Sequence, residues 1–291
     1  MYWVQERLYS WSIACNDALR KYFDVCRIFY EKNNSGTDLY LSTLLRLNTS
    51  AHLTSESALI LVSHVRLWDV EILIRAAMEG TYKVAFLTIG DDRERKTKLD
   101  QFWKDLPDIS RLKRQRHIKD FLSMVENQQP EKWRPYRELL ENEQELERIR
   151  SRNSRSERQK IAGEWSFTQM AATISKAGIP GLDAFTAMLF GYAMSSHLVH
   201  QDADALDLIR DRVEREQERR ESIELAHGAR ELSDLLILAM LRTWRIFISQ
   251  EEPTKVIRDL YDEQRTLLDE MHGATKAWHE VEYGESFQDD Y

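Results

Sequence analysis

The chain contains only five prolines, Pro107, Pro130, Pro135, Pro180 and Pro253, so residues 1–106 and 181–252 have none. Proline removes an i to i−4 hydrogen bond and clashes with the preceding turn, and its absence leaves room for very long helices. Apolar residues recur at helical spacing through most of both stretches, while alternating runs bounded by Gly or Asn are scarce. The pattern predicts an all-α protein, a multi-helix bundle with two long central helices and a charged helical excursion. We read residues 1–291 as a single helical domain, with core helices over about 1–90 and 165–272 and the insertion over about 91–160.

A first helix is expected over Tyr2–Tyr30, ended by "EKNNSGTD", followed by a short helix "LYLSTLLRLNT". The most apolar segment, Ser55–Ile89, reads as one central helix with Ser55 as N-cap. The stretch 91–160 holds "RLKRQRH" and "ENEQELERIRSRNSRSERQK", which read as charged amphipathic helices with a mobile tip near Ser151–Ser156. The core pattern resumes at Trp165 with a helix ended by Gly178 and Pro180. Helices over Asp183–Val199, Asp204–Arg220, Glu221–Ser249 and Thr254–His272 follow, before an acidic tail expected to fray.

Charged residues make up 31% of the chain and the formal charge is −8, which argues against a general affinity for nucleic acid or acidic membranes. No stretch approaches 18 uncharged apolar residues, so no membrane span is expected. Cys15 and Cys26 lie in one helix, about 16 Å apart, beyond disulfide reach. Two reduced thiols and a start that lacks the features of a signal peptide point to a cytoplasmic protein.

Two polar columns interrupt this apolar pattern. Glu71, Arg75 and Glu79 recur every four residues inside the most hydrophobic segment. A buried guanidinium there must keep its carboxylates, because an unpaired buried charge costs about 3–5 kcal/mol. Tyr192, Ser196 and His200 form a second column, with Ser195, His197, Asp202 and Asp204 nearby. The two central helices are expected to pack with these columns facing each other. They then form either a structural network or the wall of a site.

His197, His200 and Asp202 offer metal-ligating groups, and Glu224-x-x-His227 is the Glu-x-x-His match in the chain. Neither carries a metal assignment, and no metal or cofactor is expected. A nucleophile elbow of the hydrolase type is absent from the sequence. Two Arg–His spans bear on RNA chemistry: Arg111 with His117, on different faces of a helix, and Arg220 with His227, on nearly the same face.

The residues Arg75-x-x-x-Glu79, Trp165-Ser166 and Tyr192-x-x-x-Ser196-x-x-x-His200 resemble an uncharacterised family of bacterial all-helical proteins, loosely similar to HEPN bundles. The resemblance covers about Ser55 to Ile248 and leaves out the charged excursion. It implies a setting in bacterial defence or toxin–antitoxin function and supplies no substrate; the first of two function classes open to the chain is an RNA-directed nuclease-like effector, with RNA as its partner. On that expectation His200 is the acid or base, Arg75 the phosphate-binding cation, Glu79 its orienting partner, and Tyr192 and Ser196 positioning donors. Arg220 and His227 are the weaker RNA-site candidates. The alternative is a non-catalytic interaction or regulatory subunit, bound to a partner protein or to further copies of itself, whose polar network only fixes helix register.

Overall fold

The computed structural model describes residues 2–33, 38–178 and 183–284, without the side chains of residues 183–187, 189, 190 and 194. Among the described residues all regular structure is helical and no strand occurs. The helices are α1 (Tyr2–Asn33), α2 (Leu39–Ser63), α3 (Leu67–Leu87), α4 (Asp92–Asp100), α5 (Leu106–Ser123), α6 (Arg134–Glu138) and α7 (Glu143–Arg152). They continue with α8 (Arg155–Glu164), α9 (Phe167–Lys176), α10 (Asp183–His200), α11 (Ala203–Glu214), α12 (Gln217–Ser249) and α13 (Lys255–Tyr283). The chain divides into two compact units, residues 1–88 with 174–291, and residues 89–173.

In the first unit the long apolar segment forms two helices instead of one. Asp38 caps α2 by accepting from Leu41 N, and Ser55 lies inside α2, donating to the carbonyl of Ala51. The chain reverses at His64–Arg66, where Val65 takes a left-handed φ of 56°. The apolar pattern concealed this break because both helices of the hairpin are buried, so hydrophobicity runs through the turn. Small residues let α2 and α3 approach closely: a Cβ on Gly80 would lie 3.2 Å from that of Ala51.

Helix α12 runs along this hairpin and also packs on α1 and α13. A Cβ on Gly228 would lie 2.6 Å from a methyl of Leu8, so any larger residue there would force the Leu8 side chain to shift between α1 and α12. α12 is longer than expected at its N-terminus and α13 longer at its C-terminus. Pro253 lies between them, ahead of the first turn of α13, where its missing N–H is harmless.

The second unit has its own small core of Ile109, Ile118, Leu122, Leu146, Ile149, Ile161 and Trp165, and α9 runs across its boundary. A five-residue π-helical stretch, Gln101–Asp105, joins α4 to α5. Trp165 follows the end of α8 and donates to Gln101 Oε1 at 2.9 Å, while Ser166 Oγ accepts from Gln169 N in the first turn of α9. The expected tip near Ser151–Ser156 is a capped helix start: Ser154 accepts from Glu157 N, and Glu157 accepts from Ser154 N in return. Arg111 is committed to Glu141 and Glu145, and the buried Asp108 to Arg152. Residues 34–37, at the expected end of the first helix, Pro180 and residues 285–291 of the expected acidic tail lie outside the described residues.

Candidate functional site

Three helices of the first unit, α3, α10 and α12, bring together one polar seam. The two expected columns meet at Tyr192. Its hydroxyl donates to Glu79 Oε1 at 2.9 Å and accepts from Arg75 Nη2 at 3.1 Å. The Arg75 guanidinium lies 4.4 Å from the centre of the Tyr192 ring, an attractive cation–π distance. Burial is the main cause that raises the Tyr192 hydroxyl above its ordinary pKa, with the Glu79 hydrogen bond adding to it. Arg75 Nη1 is buried with no hydrogen-bond partner among the described residues.

The rest of the second column turns away. Ser196 is half-buried and His200 is exposed at the last position of α10. Neither bonds to Glu71, Arg75 or Glu79. The reason is helical phase: steps of four residues drift by about 40° each, so His200 sits about 80° around the helix from Tyr192 and about 12 Å along it. Ser195, three residues from Tyr192, faces α3 instead and donates to Glu71 Oε2 at 3.3 Å and to Gly191 O at 2.8 Å. His197 pairs with Asp202 at 2.6 Å, which raises its pKa, and Asp202 also caps α11.

The densest chemistry gathers around Glu71, and most of it comes from α12. His227 Nε2 lies 2.8 Å from Glu71 Oε1 and 3.2 Å from Glu231 Oε1. Arg230 also bonds Glu71 Oε1 and pairs with Asp234 at 3.0 Å. Arg212, from α11, donates to His227 Nδ1 and lies 4.3 Å over the Trp68 ring. An arginine can only donate, so Nδ1 carries the lone pair and Nε2 donates its hydrogen to Glu71 Oε1, while the buried Glu231 oxygens have no hydrogen-bond partner among the described residues. The Glu71 hydrogen bond therefore orients the imidazole so that its accepting nitrogen faces Arg212.

Protonation separates the two carboxylates. Burial opposes the Glu71 charge, but the His227 hydrogen bond and the Arg230 guanidinium outweigh it and hold Glu71 at about 2. Glu231 is fully buried, and burial pushes it up to about 7 against the pull of His227. Burial likewise lifts Asp234 to about 6. Burial also acts against a charged His227, yet Glu231 and Glu71 raise its proton affinity on balance. Around this floor stands a half-buried rim of Trp68, Arg212, Arg220 and Glu224, with Arg230 exposed beside it. Arg212 Nε, Arg220 Nε and Glu224 Oε2 are buried there with no hydrogen-bond partner among the described residues.

Glu71, His227 and Glu231 have ligand atoms within 4.8 Å of one another, the right types for a divalent cation. Their present bonding does not fit one. A metal on Nε2 would need Nδ1 to carry the hydrogen, and the Arg212 donor stands against that position. The trio reads as a proton network.

Of the residues expected from sequence, Glu71, Arg75, Glu79 and Tyr192 lie in the seam, and Arg220 and His227 lie in and around the α12 cluster. Sequence reasoning placed Ser195 only as a neighbour of the second column and missed Arg212, Arg230, Glu231 and Asp234. A usable signal was present: Glu231 and Asp234 interrupt a run of leucines on α12, as Glu71 interrupts the apolar run on α3.

No curated protein and no solved structure matches the chain in the comparisons made. A family model does match, over residues 41–219, described as a family of unknown function, DUF5677. The match includes the charged excursion that the resemblance left out, and it ends before His227. The chain belongs to the DUF5677 family.

Proposed function

We propose that the protein is a nuclease-like effector directed at RNA, loosely HEPN-like and at work in bacterial cytoplasm, with its chemistry centred on His227. One observation carries this reading: Nε2 of His227 is hydrogen-bonded to Glu71, with Glu231 Oε1 3.2 Å away, while Nδ1 accepts from Arg212 in a half-buried rim of arginines. That is the geometry of an oriented general base beside phosphate-binding cations. Arg212 turns from Nδ1 onto the incoming phosphate, the freed Nδ1 of His227 takes the proton of a ribose 2′-hydroxyl, and the 2′-oxygen attacks the adjacent phosphorus. The 5′-oxygen leaves and takes up a proton from water, and His227 releases its proton to water in return, giving a 2′,3′-cyclic phosphate and a free 5′-hydroxyl. Arg212 and Arg220 hold the phosphate oxygens. Glu71 and Glu231 stabilise the imidazolium that forms. Split carboxylate protonation beside one histidine supports an acid–base role.

The test is to incubate the full chain with single-stranded RNA and follow the termini formed. His227→Gln is expected to lower the rate by about 100-fold or more, with Arg212→Gln lowering it as well. Wild-type cleavage rates in His227→Gln, or no cleavage by the wild type, overturn the proposal.

A second reading, a non-catalytic interaction or regulatory subunit, is favoured by burial: His227 is 9% exposed and Glu231 fully enclosed. On that reading His227→Gln melts lower while partner binding persists, and the wild type leaves RNA intact.

A further inference from the structure

The second unit carries a feature that the His227 chemistry does not use. Residues 89–173 contain 19 Lys and Arg against 16 Asp and Glu, a net +3 within a chain whose formal charge is −8. Part of that positive charge lines a groove of about 410 Å³ between α5 and α6. Ser110, Lys113, Arg114, His117 and Phe121 line it from one face of α5, and Tyr136 lines it from α6. The two rings lie 4.8 Å apart, with Trp133 beside Phe121 at 5.5 Å. Phe121 is 36% exposed and Tyr136 41%, although burial would stabilise both.

The charges in this groove are spare. Arg111, on the neighbouring face of α5, is neutralised by Glu141 and Glu145, and Arg152 by Asp108. Lys113, Arg114 and His117 make no ion pair among the described residues. Lys113 and Arg114, cations without a carboxylate partner among the described residues, lie beside part-exposed aromatic side chains and suit a ligand that offers an anion and a flat ring together, and the His117 ring can donate to the same anion.

We propose that this groove binds a nucleotide, with its base stacked on Tyr136 and Phe121 and its phosphate held by Lys113, Arg114 and His117. The nucleotide is either free or part of a single-stranded RNA; both present the same base and phosphate. In the second form the inference deepens the RNA-directed reading and rests on it for its biological meaning, but its residues and its test are separate from His227. The cavity volume falls in the range of small-molecule sites.

The experiment uses the full chain and two probes, adenosine monophosphate by calorimetry and a fluorescein-labelled ten-residue oligouridylate by anisotropy, both at low salt. Wild-type protein is expected to bind at least one. Tyr136→Ala weakens that binding about tenfold, and Lys113→Gln with Arg114→Gln weakens it further and lowers the salt slope by about 1–2. These positions are exposed, so the melting temperature is expected to stay near wild type, which separates lost binding from lost fold. Mononucleotide binding at similar strength assigns the free ligand, whereas oligonucleotide binding alone assigns RNA. His227→Gln is expected to bind both probes like wild type, so a failure of the catalytic reading leaves this result intact. No binding of either probe, or binding that these variants leave unchanged, overturns the proposal.

Discussion

Helix α12 buries charge twice, by two different physical means. In its N-terminal half, His227 and Glu231 share the interior with Glu71, so the charges are shielded by groups that themselves titrate. In its C-terminal half, Arg242 is 1% exposed and is held by neutral partners among the described residues: Nε donates to Asn48 Oδ1 at 3.1 Å and Nη1 to Thr81 Oγ1 at 2.8 Å. Arg245, 4% exposed, is held by the hydroxyl and carbonyl of Thr88, both at 3.0 Å. Burial pulls Arg242 down to about 10, which still leaves it charged at neutral pH. The arginine end works as a fixed clamp between α2, α3 and α12. The histidine end can change its proton count near neutral pH, the property an acid–base site needs and a clamp does not.

The largest test of this contrast is Arg242→Ala. Removing the side chain leaves a cavity and strands Asn48 and Thr81 in the core, a cost of about 3–5 kcal/mol by urea denaturation. Arg242→Met, which fills the volume without the charge, is expected to cost under about 2 kcal/mol. An alanine variant as stable as wild type would remove the clamp from the account.

Glu231→Gln probes the other end through pH. Folded Glu231 titrates at about 7, above the ordinary carboxylate value of 4.5, so the folded state holds that proton more tightly than the unfolded chain. Its stabilisation is complete below the unfolded value and is lost as pH rises through about 7, about 3 kcal/mol in all. Glu71 acts in the opposite sense: held at about 2, it stabilises above 4.5 and loses this as pH falls towards 2. Urea titrations at pH 5 and pH 8 are expected to show Glu231→Gln gaining on wild type at the higher pH. Parallel curves at both values would show that Glu231 does not titrate in this range.

The smallest effect is expected at the mouth of the seam. Tyr192→Phe removes one hydroxyl bonded to Arg75 and Glu79 in a half-buried setting, a loss of about 1 kcal/mol in thermal unfolding. A loss near that of Arg242→Ala would mean that the seam, too, behaves as a rigid clamp.

The sequence by itself determined the helical class, because proline-free stretches with a 3.6-residue apolar period have no other stable outcome. It also marked Glu71, Arg75, Glu79 and Tyr192, since polar groups inside apolar helices must find partners. It did not locate the reversal at His64–Arg66, because a buried hairpin and a buried single helix share one pattern. Nor did it show that Ser195 and not Ser196 faces α3. A rotation of one residue, about 100°, decides that, and packing alone fixes the rotation. The convergence of Glu71, His227 and Glu231 joins residues about 160 positions apart in the chain, at a depth set by how α12 lies against α3. Spacing along the chain carries no record of that approach. Tertiary packing enclosed Glu231, and that enclosure is what divided the protonation of two otherwise equivalent carboxylates.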